Sequence, residues 1–205
     1  MINPWQGGSC SGKITAVKRM GLAMHEKVML IDCARSAVVD FLVKGMLDDT
    51  PELFPDPPAP LLEKRGIFVS VLNSGKLRGC MGTVAAVLPS WMACRVSARN
   101  AVYKDPRFMP LSREELPHIS FEIAIMGTPR PLVDISQIRR GSSGLILQKG
   151  SRQEVFLPGM LGNAPGEREA LKRYLRDEVN IDAEGIDAPE TWMVFDVEVI
   201  REGDL

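Results

Sequence analysis

Apolar and polar positions change period several times along this chain, and each change marks an element. From Glu26 to about Met46, apolar residues recur at Leu30, Ala34, Ala37, Val38, Phe41 and Leu42. That is the spacing of one helical face, and Gly45 stands where a C-terminal cap is expected. Cys33 lies beside the stripe and reads as a small core residue, because free cysteine behaves as a buried hydrophobe. Five prolines between Asp49 and Pro60 predict an extended connector rather than a helix. Gly66 to Leu72, spelling GIFVSVL, then reads as a strand. Asn73, Ser74 and Gly75 make a tight turn, and Lys76 to Thr83, spelling KLRGCMGT, returns antiparallel.

After Pro89, Ser90 is placed to cap a helix to about Tyr103 that buries Met92, Val96 and Val102, with Ala93 and Ala101 alongside and Cys94 near its edge. Ser112 to Glu115 has the S-x-x-E form of a capping box that opens a short helical turn. Ile119, Phe121, Ile123 and Ile125 alternate with Ser120, Glu122, Ala124 and Met126, a half-buried strand with Glu122 on its second face. Gly144 to Lys149 and Gln153 to Leu157 predict a second hairpin about Gly150 and Ser151. A helix is expected from about Gly166 to Val179. A last strand from Trp192 to Ile200 points Met193, Phe195, Val197 and Val199 inward.

Composition narrows the class. At 205 residues, with 45% hydrophobic and 25% charged, the chain can bury a sizeable core as one domain. Residues 1–23 hold Gly7, Gly8 and Gly12 with Lys13, Lys18 and Arg19 and no sustained apolar period, and are expected to be a flexible extension ahead of a single domain over 24–205. A net charge of -1 supplies no global field for nucleic acid, and no basic stripe interleaved with aromatics appears. No run is long and apolar enough for a bilayer span, and the N-terminus lacks the apolar segment of a secretory signal, so a cytoplasmic protein is expected. The four cysteines, at 10, 33, 80 and 94, show no C-x-x-C spacing, so free thiols are expected and no metal site or cofactor.

The chemistry concentrates in KLRGCMGT. Two glycines inside a strand weaken it unless a bulge or a close approach requires them, which singles out Gly79 and Gly82. Period-two alternation puts Leu77, Gly79, Met81 and Thr83 on one face and Arg78, Cys80 and Gly82 on the other. At about 7 Å, Arg78 would favour a Cys80 thiolate by about 0.6 kcal/mol in water and about 2.4 kcal/mol at an effective dielectric of roughly 20. Burial opposes ionisation, so Arg78 alone does not make Cys80 a strong nucleophile, and a second cation or hydrogen bond is required.

LRGCMGT resembles the LRGCIGT signature of the AMMECR-one family. The likeness continues through Leu88 and Pro89, DPRFMPLSREELP from Asp105 to Pro117, and FEIAI from Phe121, and covers most of residues 26–200. The resemblance implies an α+β domain, a mostly antiparallel sheet flanked by helices, with a larger lobe, a smaller lobe over about 135–185, and a polar cleft near the signature. It implies no assigned reaction. Microbial relatives accompany or fuse with radical-SAM and Memo-like proteins, which suggests an accessory role in a modification pathway. Two departures stand out: GSSG places Ser143 where members often carry the histidine of G-x-H-G, and the segment after LPGM lacks a tryptophan-bearing insertion.

By the resemblance, Asp105, Arg107 and Glu122 join Arg78 and Cys80. Two functions follow. In one, the cleft binds a small polar ligand or a partner segment, with Arg78, Gly79, Gly82, Asp105 and Arg107 lining it. In the other, Cys80 is a nucleophile and Glu122 or Asp105 an acid or base, Glu122 being the one put forward. Against both stands an ion network in which Arg78 and Arg107 tie loops down through Asp105 and Glu122.

Overall fold

The computed structural model describes residues 21–45, 56–133, 137–139, 141–149, 152–158 and 192–205. The helix expected over 166–179, most of the proline-rich connector and the segment after LPGM lie outside these.

The first apolar stripe forms α1 (Met24–Lys44), and Gly45 closes it in the left-handed conformation at φ 69°. Leu30, Ala34, Ala37, Val38 and Cys33 are buried as the spacing requires. At the other end Glu26 turns back to accept the N–H of Ala23 at 2.7 Å. Leu22 packs against the core, and its N–H is held by the Glu198 carboxylate at 3.1 Å. The connector ends in a single helical turn, α2 (Ala59–Leu62), where Pro60 sits in the first turn and costs no intrahelical bond.

β1 (Ile67–Asn73) and β2 (Lys76–Thr83) form the expected hairpin. Ser74 and Gly75 both take positive φ, 51° and 78°, as a two-residue turn that follows strand twist requires. α3 (Ser90–Tyr103) follows, but Ser90 does not cap it: its hydroxyl and N–H both go to the carbonyl of Glu63, at 2.6 and 2.9 Å. Val96 is not on its core face, and Met92 is half-buried at the margin of the core. The buried face is Cys94, Ala98, Ala101 and Val102, with Cys94 fully buried rather than at the edge. Small residues there let the helix lie directly on the sheet.

A 3-10 turn over Arg113–His118 leads into β3 (Ile119–Met126). β4 (Arg130–Pro131), β5 (Ser143–Lys149), β6 (Arg152–Phe156) and β7 (Trp192–Arg201) complete one antiparallel sheet, ordered β2-β1-β3-β7-β5-β6 with β4 on β7. The hairpin expected in a smaller lobe, β5–β6, is thus joined through β7 to the same sheet as the signature strand. The protein is α+β, as the resemblance implies.

The sheet buries both faces in different ways. On one, Ile67, Val69, Val71, Phe121, Ile123, Ile125 and Ile200 pack under α1 and α3. On the other, Phe68 and Val84 meet Ile146 and Val155 in one cluster with Ala124, Met126, Phe195 and Val197. A flat sheet would hold β1 and β5 about 14 Å apart across three strand spacings. One cluster running across this face from β1 to β6 is what a sheet curled around it, with this second face concave, would bury. Met193, Phe195, Val197 and Val199 point into it, as the alternation predicted.

Candidate functional site

The site begins with an irregularity in β2. Lys76 and Leu77 pair with Asn73 and Leu72, but the next pairs are Gly79 with Val71 and Cys80 with Ser70. Arg78 is an extra residue, a bulge. Without it, the two-residue turn would set Ser70 opposite Gly79. Leu77 consequently shares the face of Leu72 and Cys80, not that of Gly79 and Met81 where strict alternation put it.

Because directly opposed residues share a face, the register builds a polar rung across four strands on the concave side: Cys80, Ser70, Glu122 and Arg201. Arg201 Nε donates to Glu122 Oε2 at 2.7 Å, and both side chains are part-exposed. The neighbouring rung toward the concave core is Gly82, Phe68, Ala124 and Val199.

Asp105 approaches Cys80 from the sheet edge. β2 is a terminal strand, and Asp105 Oδ2 accepts the Cys80 N–H at 2.8 Å. The same carboxylate takes Arg107 through Nε at 2.9 Å, Nη2 at 2.7 Å and the backbone N–H at 3.1 Å. Asp105 is buried, and these donors hold it well below the usual carboxylate range.

Arg78 does not point at the thiol. Its Nε and Nη2 donate to the two oxygens of Glu115 at 2.8 and 3.1 Å, and Nη1 donates to the carbonyl of Met109 at 2.8 Å. Glu115 also accepts from Asn73 and from the Ser112 N–H, the return bond of the predicted capping box. Its pKa is lowered to about 2, chiefly by the Arg78 hydrogen bonds. Phe108 lies beside both arginines, 6.0 Å from Arg78 and 5.4 Å from Arg107. Arg78 and Arg107 thus fasten the 105–110 loop, the first through the Met109 carbonyl and the second through Asp105, while Glu122 pairs with Arg201.

The two glycines serve close approach. A Cβ on Gly79 would stand 2.1 Å from the carbonyl oxygen of Ala101 in α3, and one on Gly82 2.3 Å from that of Ile67 and 2.6 Å from the Phe68 ring. Gly79 therefore faces α3, away from the rung, and only Gly82 borders it.

The groups acting on the half-buried Cys80 thiol are now identifiable. Burial raises its pKa, a hydrogen bond from Ser70 and the charge of Arg107 lower it, and Asp105 and Glu122 raise it. Arg107, not Arg78, is the cation that reaches it. His25 and His118 are exposed and not among these groups. Ser143 is buried opposite Asp196, on the face away from Phe195, and its hydroxyl accepts the Arg139 N–H at 2.9 Å. Among the described residues, no group of three or more His, Cys, Asp or Glu could hold a metal ion. Sequence reasoning missed Ser70, Glu115 and Arg201 as site residues. Ser70 carried a signal, as the lone polar residue of GIFVSVL; Arg201 carried none without the β3–β7 register.

The AMMECR1 family model matches residues 31–199. A protein of Thermofilum pendens is 30% identical over 179 residues, spanning 77% of this chain and 83% of its own. Protein MJ0810 of Methanocaldococcus jannaschii is 30% identical over 191 residues, with 88% of each chain covered. The crystal structure of the uncharacterized protein PH0010 from Pyrococcus horikoshii superposes with a TM-score of 0.69 at 24% identity, over 85% of this chain and 89% of that one, a likeness of fold. No helix among the described residues is long and apolar enough to cross a membrane.

Proposed function

Because the chain belongs to the AMMECR1 family, and the LRGCMGT stretch contributes Cys80 to the rung just described, we propose that it is a binding or accessory domain that holds a small polar ligand on the concave face of its sheet. The observation that carries this reading is the state of Cys80. A cysteine nucleophile needs a thiolate, a base to make it, and N–H donors for the oxyanion that forms on attack. Burial keeps this thiol protonated, neither histidine acts on it, and its own N–H is consumed by Asp105 at 2.8 Å. What remains is a surface of one thiol, one hydroxyl and two ion pairs, suited to hydrogen bonding rather than bond breaking. An accessory role beside radical-SAM or Memo-like proteins fits a domain that presents a ligand and does not transform it.

The test is thermal-shift titration of the full chain with pools of small polar metabolites. A pool that raises the melting temperature in the native protein and in Cys80→Ala, but not in Glu122→Gln or Arg107→Met, supports binding at the rung. A shift indifferent to Glu122 and Arg107 removes the rung from the binding site. Turnover of any pool member that is lost in Cys80→Ala would establish the enzymatic alternative.

A further inference from the structure

The rung and the loop at its β2 edge present charge of both signs, and Arg107 and Glu122 are each held on one side and open on the other. Asp105 takes Nε and Nη2 of Arg107 and fixes that guanidinium, whose side chain is 56% exposed, so that Nη1 remains for a ligand. Arg201 Nε takes Oε2 of Glu122, whose side chain is 32% exposed, and leaves Oε1. Between these two ends stand the Ser70 hydroxyl and the Cys80 thiol, a donor–acceptor pair without net charge.

Resting on the reading of the rung as a binding surface, we infer that its ligand is a short peptide or peptide-like zwitterion, with its carboxylate on Arg107, its ammonium on Glu122 and an amide group over Ser70 and Cys80. Three features select this class. A simple anion such as phosphate on Arg107 would leave the open oxygen of Glu122 unanswered, whereas a zwitterion matches both ends. A single α-amino acid is too short: Glu122 stands on β3, two strand spacings or about 9.6 Å from β2, and Arg107 lies on the loop outside β2, a gap that three residues at about 3.4 Å each, with a hydrogen bond at either end, span. The rung also lies between apolar flanks, half-buried Phe68 and Val199 on one side and Leu72 and Leu77 on the other, where side chains leaving a peptide backbone would rest.

Calorimetric titration of the full chain at low salt with trialanine, N-acetyltrialanine and trialanine amide tests this. Trialanine should bind, and capping either end should weaken binding about tenfold, the value of one charge-assisted hydrogen bond. Glu122→Gln should abolish the discrimination against the acetyl form alone. Arg107→Met should abolish the discrimination against the amide alone. Glu122 is part-exposed and pairs with a surface arginine, so its variant keeps the fold, and a melting curve verifies this. Equal binding of all three peptides, or binding of none, overturns the inference. If no peptide binds while a metabolite pool still shifts the melting temperature through Glu122 and Arg107, only the ligand class falls; if the pools also fail, the binding reading falls with it.

Discussion

Asp105 reaches from the loop after α3 to the edge of β2 and accepts the N–H of Cys80 at 2.8 Å. A terminal strand ordinarily leaves such groups to water or to another chain. Here a buried carboxylate takes the bond, and Arg107 compensates its charge. Asp105→Ala should therefore leave the Cys80 N–H unpaired and release Arg107, at a cost of about 2 to 3 kcal/mol. Asp105→Asn, which still offers one acceptor, should cost about half that. Urea denaturation of the three proteins gives the comparison, and equal midpoints would refute it.

Acid sensitivity follows from the same loop. Asp105 and Glu115 both have folded pKa values below their unfolded ones, Glu115 at about 2. Groups shifted down stabilise fully above the unfolded value, about 4, and lose that contribution as pH falls through the folded one. Stability should be flat from pH 7 to about 5 and decline below about 4.5. In Glu115→Gln the protein should be weaker at neutral pH and its decline between about 4.5 and 2 shallower. Melting temperatures across that range read both.

Cys80 should behave as a restrained thiol. Burial raises its pKa, so at pH 7 iodoacetamide should label it more slowly in the folded protein than a free-thiol peptide, and the rate should climb with pH beyond the point where the peptide levels off. Ser70→Ala removes a hydrogen bond that favours the thiolate and should slow labelling further. Mass spectrometry of the Cys80 peptide distinguishes it from Cys33 and Cys94, which are more deeply buried and whose pKa values are also raised, Cys33 to about 11. Labelling faster than the peptide would contradict the binding reading.

Gly79→Ala tests packing apart from the site. Its Cβ would fall 2.1 Å from a backbone carbonyl in α3, which cannot swing aside as a side chain does. About 3 kcal/mol of stability should be lost as the helix lifts from the sheet. Ligand affinity, measured below the new melting point, should change far less than in Glu122→Gln.

Much of this architecture was legible in the chain. The α1 stripe with its Gly45 cap, the Ser74–Gly75 turn and the alternations of β3 and β7 each carry a local signature that the fold respects. Ser90 was misread because a carbonyl from another segment, that of Glu63, took both of its donors, and no local pattern announces such a bond. The α3 face was misread in part for a related reason: Gly79 of β2 lets the helix backbone come close at Ala101, so small residues lie toward the strand, while Met92 packs at the margin of the core and Val96 outside it. At the site, alternation grouped Cys80 and Gly82 correctly, and the resemblance brought in Asp105, Arg107 and Glu122. It could not reveal that Arg78 is a bulge or that Arg107 is the cation beside the thiol, since both depend on register and on the path of a loop.

The bulge separates two properties that point substitution confounds. Excising Arg78 from the chain, rather than replacing it, would leave Lys76 and Leu77 opposite Asn73 and Leu72 and Cys80 opposite Ser70, because the surplus position is the one removed. The shortened protein would keep every partner across the hairpin and forfeit only the fastening of Glu115 and Met109. In β2, then, shortening by one is the milder lesion, whereas adding or losing a residue anywhere between Gly79 and Thr83 would turn the thiol, or the stretch beyond it, toward the wrong side of the sheet.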